Sequence, residues 1–219
     1  MSRVWTLIVA LSSVCVMGCA STYHVVQIPE RDADMYPLSQ TKDGVTIAID
    51  EVRSAARAQR YFGANIVPAG VLPVVVVVSN HSSRSVVVKP SDVLLQRGRD
   101  IADPLPLESV VTLATGDRWF LRKKTAEQVE GFFANAAFKE TVLLPNDSYQ
   151  GVMFFANAKP RRHEDRFFTM SSLFADSGPR IRVAITDLEE PHRVHFGPFS
   201  LSSQEQEVTQ ARFDAFEQF

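Results

Sequence analysis

Residues 70–90 read GVLPVVVVVSNHSSRSVVVKP, and the five consecutive valines from Val74 to Val78 decide the fold class. Valine is branched at Cβ and stiff at χ1, so a run of it fits a pleated strand better than a helix. A strand with one wet face alternates apolar and polar residues, whereas a strand covered on both faces is apolar throughout. The run therefore predicts a central strand packed from two sides. Ser79, Asn80, Ser82 and Ser83 then supply turn chemistry before valine returns at Val86, Val87 and Val88. Together these residues predict a hairpin over Gly70 to Pro90.

Outward from that segment the signals are mostly those of strands. Val45, Ile47 and Ile49 alternate with Thr46, Ala48 and Asp50, the period-two pattern of a half-buried strand. Val93 to Leu95 extends the sheet after a break at Pro90 and Ser91. Thr141 to Leu144 and Tyr149 to Phe155, separated by Pro145, Asn146, Asp147 and Ser148, predict a second hairpin. Arg180 to Thr186 and Arg193 to Leu201 supply two more strands. Thr125 and Gln128 have the spacing of a capping box, and Val129, Phe132, Phe133, Ala136 and Ala137 fall at helical spacing. That segment predicts one inserted amphipathic helix over an open end of the sheets. Short strands without βαβ alternation predict a mainly β fold, an antiparallel sandwich over residues 44–201. Residues 202–219 form a tail in which Val208, Phe213, Phe216 and Phe219 fall within an arc of about 140° if helical, with Arg212 inside the same arc.

Composition narrows the function classes. The chain has 219 residues, 45% of them hydrophobic, and a formal charge of -2, so it can bury a sizeable core and lacks the basic excess of a nucleic-acid binder. Its histidines are His24, His81, His163, His192 and His195, and no pair has the spacing with an intervening Glu that zinc hydrolases use. His192 and His195 stand three apart in a predicted strand, so they point to opposite faces. Gly63, Gly70, Gly98 and Gly116 are isolated, which excludes a glycine-rich phosphate loop, and no Gly-x-Ser-x-Gly elbow occurs. The expectation is a chain without catalytic residues, metal site or cofactor.

The N-terminus carries an address. Arg3 precedes an apolar stretch from Val4 to Met17 that is too short for a comfortable bilayer span of about 20 residues. Val16, Met17, Gly18 and Cys19 resemble the lipobox of bacterial lipoproteins, with a branched apolar residue three before the cysteine and a small one directly before it. The resemblance implies cleavage after residue 18 and a lipidated Cys19 as mature N-terminus, the membrane partner being reached through that anchor. A plain secretory signal or an uncleaved anchor fits the same residues. Cys15 leaves with the signal, so no disulfide forms. Ala20 stands where Asp would retain an enterobacterial lipoprotein in the inner membrane, which implies the outer membrane and a domain facing the periplasm. Residues 19–43, polar and broken by Pro29 and Pro37, read as a tether, or as an edge strand through Tyr23, Val25, Val26 and Ile28.

Over residues 44–201 the chain resembles the immunoglobulin-like domains of bacterial envelope lipoproteins. The likeness is carried by Tyr61, Phe62, Gly63, Gly70 to Pro73, Leu144, Pro145, Gly151, Val152, Phe154 and Phe155. It implies an immunoglobulin-like β-sandwich and an envelope location, not an activity. Two functions stay open: a non-catalytic module that binds an envelope protein or glycan, and an envelope hydrolase with a dispersed site. For the first, the connection between Asn157 and Pro179 is a candidate interaction loop, with Arg161 and Arg162 at its basic start and Phe167 and Phe168 in its apolar half. A solvated basic turn followed by a short helix that buries those phenylalanines accounts for the same residues. The address is tested at Cys19. Mass spectrometry of the N-terminal peptide should find an acylated Cys19, and Cys19→Ala should leave the membrane fraction; an unmodified Cys19 refutes the lipobox.

Overall fold

A computed structural model describes residues 26–64, 66–97, 100–115, 122–156, 179–190 and 192–201. Cys19, the loop residues Arg161, Arg162, Phe167 and Phe168, and the tail 202–219 lie outside the described residues. In chain order the strands are β1 (Ser39–Lys42), β2 (Val45–Glu51), β3 (Val71–Asn80), β4 (Val86–Val88), β5 (Val93–Arg97), β6 (Asp100–Ala102), β7 (Thr141–Leu143), β8 (Ser148–Ala156), β9 (Arg180–Asp187) and β10 (Arg193–Ser200). The helices are α1 (Ala55–Phe62), α2 (Leu107–Thr115) and α3 (Arg122–Ala136).

The strands form two antiparallel sheets. The first has the order β1-β2-β3-β8. In the second, β9 pairs along one edge with β10 and along the other with β5 and then β4, while β6 and β7 add to β5 and β4. The expected antiparallel sandwich is therefore present, and β3 is central, between β2 and β8. All ten residues of β3 are buried. Leu72, Val74, Val76 and Val78 face the second sheet, where they meet Val86, Leu95, Val183 and Phe196 in one core. Val71, Val75 and Val77 face a second core on the other side.

That second core is the main departure from the expected architecture. All three helices among the described residues contribute to it, through Phe62, Val110 and Phe133, so a helix layer lies on the outer face of the first sheet. The helix predicted from Thr125 does not close an end of the sandwich. It begins at Arg122, so Thr125 is not its cap. Phe62 of α1, Phe133 of α3 and Phe154 of β8 form a triangle with ring centroids 5.3–5.6 Å apart, and such pairs contribute roughly 0.5–1.5 kcal/mol each beyond their area. The α1 segment is capped at both ends: Ser54 accepts a hydrogen bond from the Arg57 N–H, and Gly63 takes the left-handed conformation at φ 62°.

Neither predicted hairpin forms. β3 and β4 belong to different sheets, as do β7 and β8. Both crossovers meet at Asn80, which is fully buried. Its side-chain amide donates to the carbonyls of Arg84, Leu143 and Leu144, and its side-chain oxygen accepts from the N–H and hydroxyl of Ser82. A buried amide so placed satisfies backbone groups that a two-strand turn would have satisfied internally. Asn80, read as a turn residue, instead joins the two layers.

The stretch read as a tether is also corrected. Ala33 and Tyr36 are buried in the helix-side core, and β1 pairs with β2 from Ser39 to Lys42. The Ser79 hydroxyl holds this segment by accepting from the Ala33 N–H and donating to Asp32. Val26 and Ile28 do not form the alternative edge strand, although Ile28 packs against the same core.

The consequence of double-sided burial is testable at Val76, which is 0% exposed. Val76→Asp should unfold the domain, since an unpaired charge there loses its hydration at a cost of several kcal/mol. Thermal melting monitored by circular dichroism checks this, and a melting point within a degree or two of the parent would refute it.

Candidate interaction surface

The second sheet buries one face against β3, and its other face carries no helix among the described residues. Side chains alternate along strands, so strand register identifies which residues share that outer face. Val142 of β7, Val87 of β4, Thr186 of β9 and Arg193 of β10 stand in one row. Beyond its end, the Leu188 N–H donates to the Ser85 carbonyl at 3.1 Å, and Leu144 follows β7 on the same side as Val142. Val142, Leu144 and Leu188 are 51%, 56% and 51% exposed. At the other end of the sheet, Leu94 lies opposite Arg182, and Ile101 lies opposite Gln96, itself opposite Arg180. Leu94, Ile101 and Arg182 are exposed as well. The face thus has an apolar end at Val142, Leu144 and Leu188, and a mixed end where leucine and isoleucine stand beside arginine.

The apolar end is held in shape by charge. Asp187 turns into the protein at the end of β9 and accepts hydrogen bonds from the backbone N–H groups of Glu189 and Glu190 at 2.9 and 3.2 Å. Arg84 reaches the same carboxylate at 2.9 Å and Glu190 at 3.2 Å. Burial by itself would raise the Asp187 pKa; the two N–H groups and the Arg84 guanidinium outweigh it and hold the carboxyl below the usual range. The turn that presents Leu188 is therefore tied to the crossover that starts at Asn80. Arg193 is occupied by Asp92 at 2.7 Å, which leaves Arg182 as the exposed cation beside Leu94.

Other polar clusters are better explained as framework. Arg57 of α1 makes a two-pronged ion pair with Asp50 of β2, and its guanidinium also lies 5.2 Å from the Tyr61 ring centre. Burial lowers the Arg57 pKa, but its hydrogen bonds and the Asp50 charge raise it further, so the guanidinium stays charged. Burial and the Asp50 charge push the neighbouring Tyr36 up to about 12. A paired, hydrogen-bonded charge of this kind costs about 3–5 kcal/mol if one partner is removed, yet it offers no open coordination or nucleophile. Asp32, Ser79 and Ser148 join through hydroxyl hydrogen bonds of 2.9–3.3 Å. No imidazole takes part in that cluster among the described residues.

The histidines can be placed only in part. His192 precedes β10 with Nδ1 2.9 Å from the Glu190 carbonyl, and His195 is an exposed residue within β10. His163 lies outside the described residues. Among the described residues, no three His, Cys, Asp or Glu side chains are grouped to hold a metal ion, and no helix is long and apolar enough to cross a membrane. Sequence reasoning singled out none of Leu94, Ile101, Val142 or Leu188. Their exposure depends on which face each strand turns outward, and only the pairing register supplies that.

Neither a family model nor a curated protein matches the chain. Among solved structures it is similar to YcdA, a candidate lipoprotein of Bacillus subtilis, at 13% identity and a TM-score of 0.35. It is also similar to YjhA of Bacillus subtilis at 9% identity and a TM-score of 0.36. These matches cover 76% and 79% of this chain, and the chain spans 38% of YcdA and 89% of YjhA. Likeness at that level carries no argument about activity.

The anchoring of the Leu188 turn has a pH signature. A depressed native pKa contributes stability that is present above the unfolded value of about 4 and is lost as pH falls through the native one. Urea midpoints measured between about pH 6 and pH 3 should therefore fall further for the parent than for Asp187→Asn. Parallel curves would show that Asp187 gains nothing from its partners.

Proposed function

We propose that the protein is an envelope lipoprotein, lipidated at Cys19 and held at the outer membrane facing the periplasm, whose sandwich is a non-catalytic module for binding another envelope protein. The lipobox-like residues Val16 to Cys19 and Ala20 support the address. The observation that carries the binding role is the outer face of the second sheet, which no helix covers among the described residues and on which Val142, Leu144 and Leu188 are each more than half exposed. Contiguous exposed apolar residues on a sheet mark interaction surfaces, whereas scattered ones do not. Arg182 beside Leu94 favours a partner that places a carboxylate next to an apolar contact. The loop residues Arg161, Arg162, Phe167 and Phe168 are a second candidate contact for that partner on their basic and aromatic composition.

The test uses a photocrosslinking residue placed at Val142 or Leu188, with exposed Glu108 of α2 as control. In intact cells, both positions should yield adducts with the same protein, and Glu108 should not. Val142→Lys with Leu144→Lys should abolish the adduct formed from position 188 while changing the melting point little, since exposed substitutions are usually within about 0.5 kcal/mol. Equal crosslinking from Glu108, or no loss in the lysine variant, would remove this face from consideration.

A further inference from the structure

We infer that the domain stands on the bilayer with its α1 side down, so that Val26, Ala56 and Arg60 face lipid headgroups and the outer face of the second sheet points away. The inference rests on the proposed lipid at Cys19, and what it adds comes from where the chain becomes fixed to the domain. The Val26 N–H donates to the carbonyl of Arg60, in the last turn of α1, at 2.9 Å. Two residues on, the Ile28 carbonyl accepts from Gln150 at 2.9 Å, and Ile28 itself packs on the helix-side core. From Val26 onward the chain is therefore held against the helix layer, and the stretch between Cys19 and the first held residue is much shorter than a tether ending at Asp43 would be.

That length limits the geometry whatever conformation it takes. Seven peptide steps separate Cys19 from Val26 and span at most about 25 Å when fully extended. Acyl chains on Cys19 place its backbone at the headgroups, so the Arg60 carbonyl cannot stand further than that from the bilayer surface. The layers of the domain set the opposite distance. Packed layers lie about 10 Å apart, which puts the outer face of the second sheet on the order of 20 Å beyond α1. The side chains toward the membrane suit a headgroup boundary: Val26 is half exposed, Ala56 and Arg60 are one turn apart on the exposed side of α1, and Arg60 has a cationic tip for phosphate. The bilayer thus leaves Val142, Leu188 and Arg182 free for a partner.

The lipidated full chain provides its own labelling background, because Cys15 leaves with the signal and Cys19 is blocked. An environment-sensitive fluorophore would be attached to Ala56→Cys, Ile101→Cys or Val142→Cys, with unsubstituted protein as blank. Each is reconstituted in phosphatidylethanolamine and phosphatidylglycerol vesicles containing a headgroup-spin-labelled lipid. Flotation is measured first, and every variant should float while Cys19→Ala does not. Quenching at position 56 should then be several-fold stronger than at 101 and 142. If the parent does not float, the anchor reading fails and takes the orientation with it. If all variants float but 56 is quenched no more than 101 and 142, the anchor stands and the orientation is overturned.

Discussion

Everything in this fold depends on β3 being covered from both sides. A strand whose alternate residues all need burial cannot end as one wall of a two-layer sandwich, because half its valines would face water. The inner set, with Val74, Val76 and Val78, packs on the second sheet, and Val75 and Val77 on the other face require the helices. The helix layer is thus a consequence of the valine run. Phe62, Phe133 and Phe154 close it from three separate elements. Gly151 makes room on β8, where a Cβ would stand 2.6 Å from the Phe138 backbone.

Two sheets packed face to face need the crossovers between them secured, and polar groups do that here. Asn80 gathers carbonyls from both crossovers at the point where each chain segment changes sheet. Along the opposite edge the join is made by side chains, with Gln40 of β1 accepting from the Gly197 N–H of β10 and Lys42 donating to the His195 carbonyl. These contacts occupy backbone groups on the free edge of β10, which would otherwise template another strand. The outer edge of β8 is covered similarly, since Leu105 and Phe138 donate to its carbonyls.

The same economy explains the candidate surface. The first sheet is covered on both faces, while the outer face of the second carries no helix among the described residues. Leu144 and Leu188 are presented by the very crossover and turn that Asn80, Arg84 and Asp187 stabilise. The framework that fixes the sandwich therefore also fixes the geometry of its exposed apolar end, with no strand added for that purpose.

Strand existence was legible in the residues because burial writes itself into side-chain pattern. Val74 to Val78 are apolar throughout because both faces are covered, whereas Val45 to Asp50 alternate and predicted one wet face; β2 is nevertheless buried on both, its Thr46 and Asp50 being hydrogen-bonded to Thr41 and Arg57. The Val129 and Phe133 stripe was legible for the same reason. The α1 helix was not: Ala55 to Phe62 is short and rich in Arg and Ala, and its apolar positions Ala58, Tyr61 and Phe62 make sense only once the β3 face they cover is known. Nor could the residues alone separate a hairpin from a crossover, since turn chemistry at Ser79 to Ser83 serves either. The difference lies in whether the next strand finds its partner beside β3 or across the core, and long-range pairing with β7 and β9 decides that. The candidate surface was hidden for a related reason. Val142 and Val87 look alike as residues, both valine in short strands, yet Val142 is half exposed and Val87 is covered between two neighbours. Sequence by itself determined which segments must be buried; tertiary pairing decided which of their faces remained open, because exposure belongs to a residue's neighbours rather than to the residue.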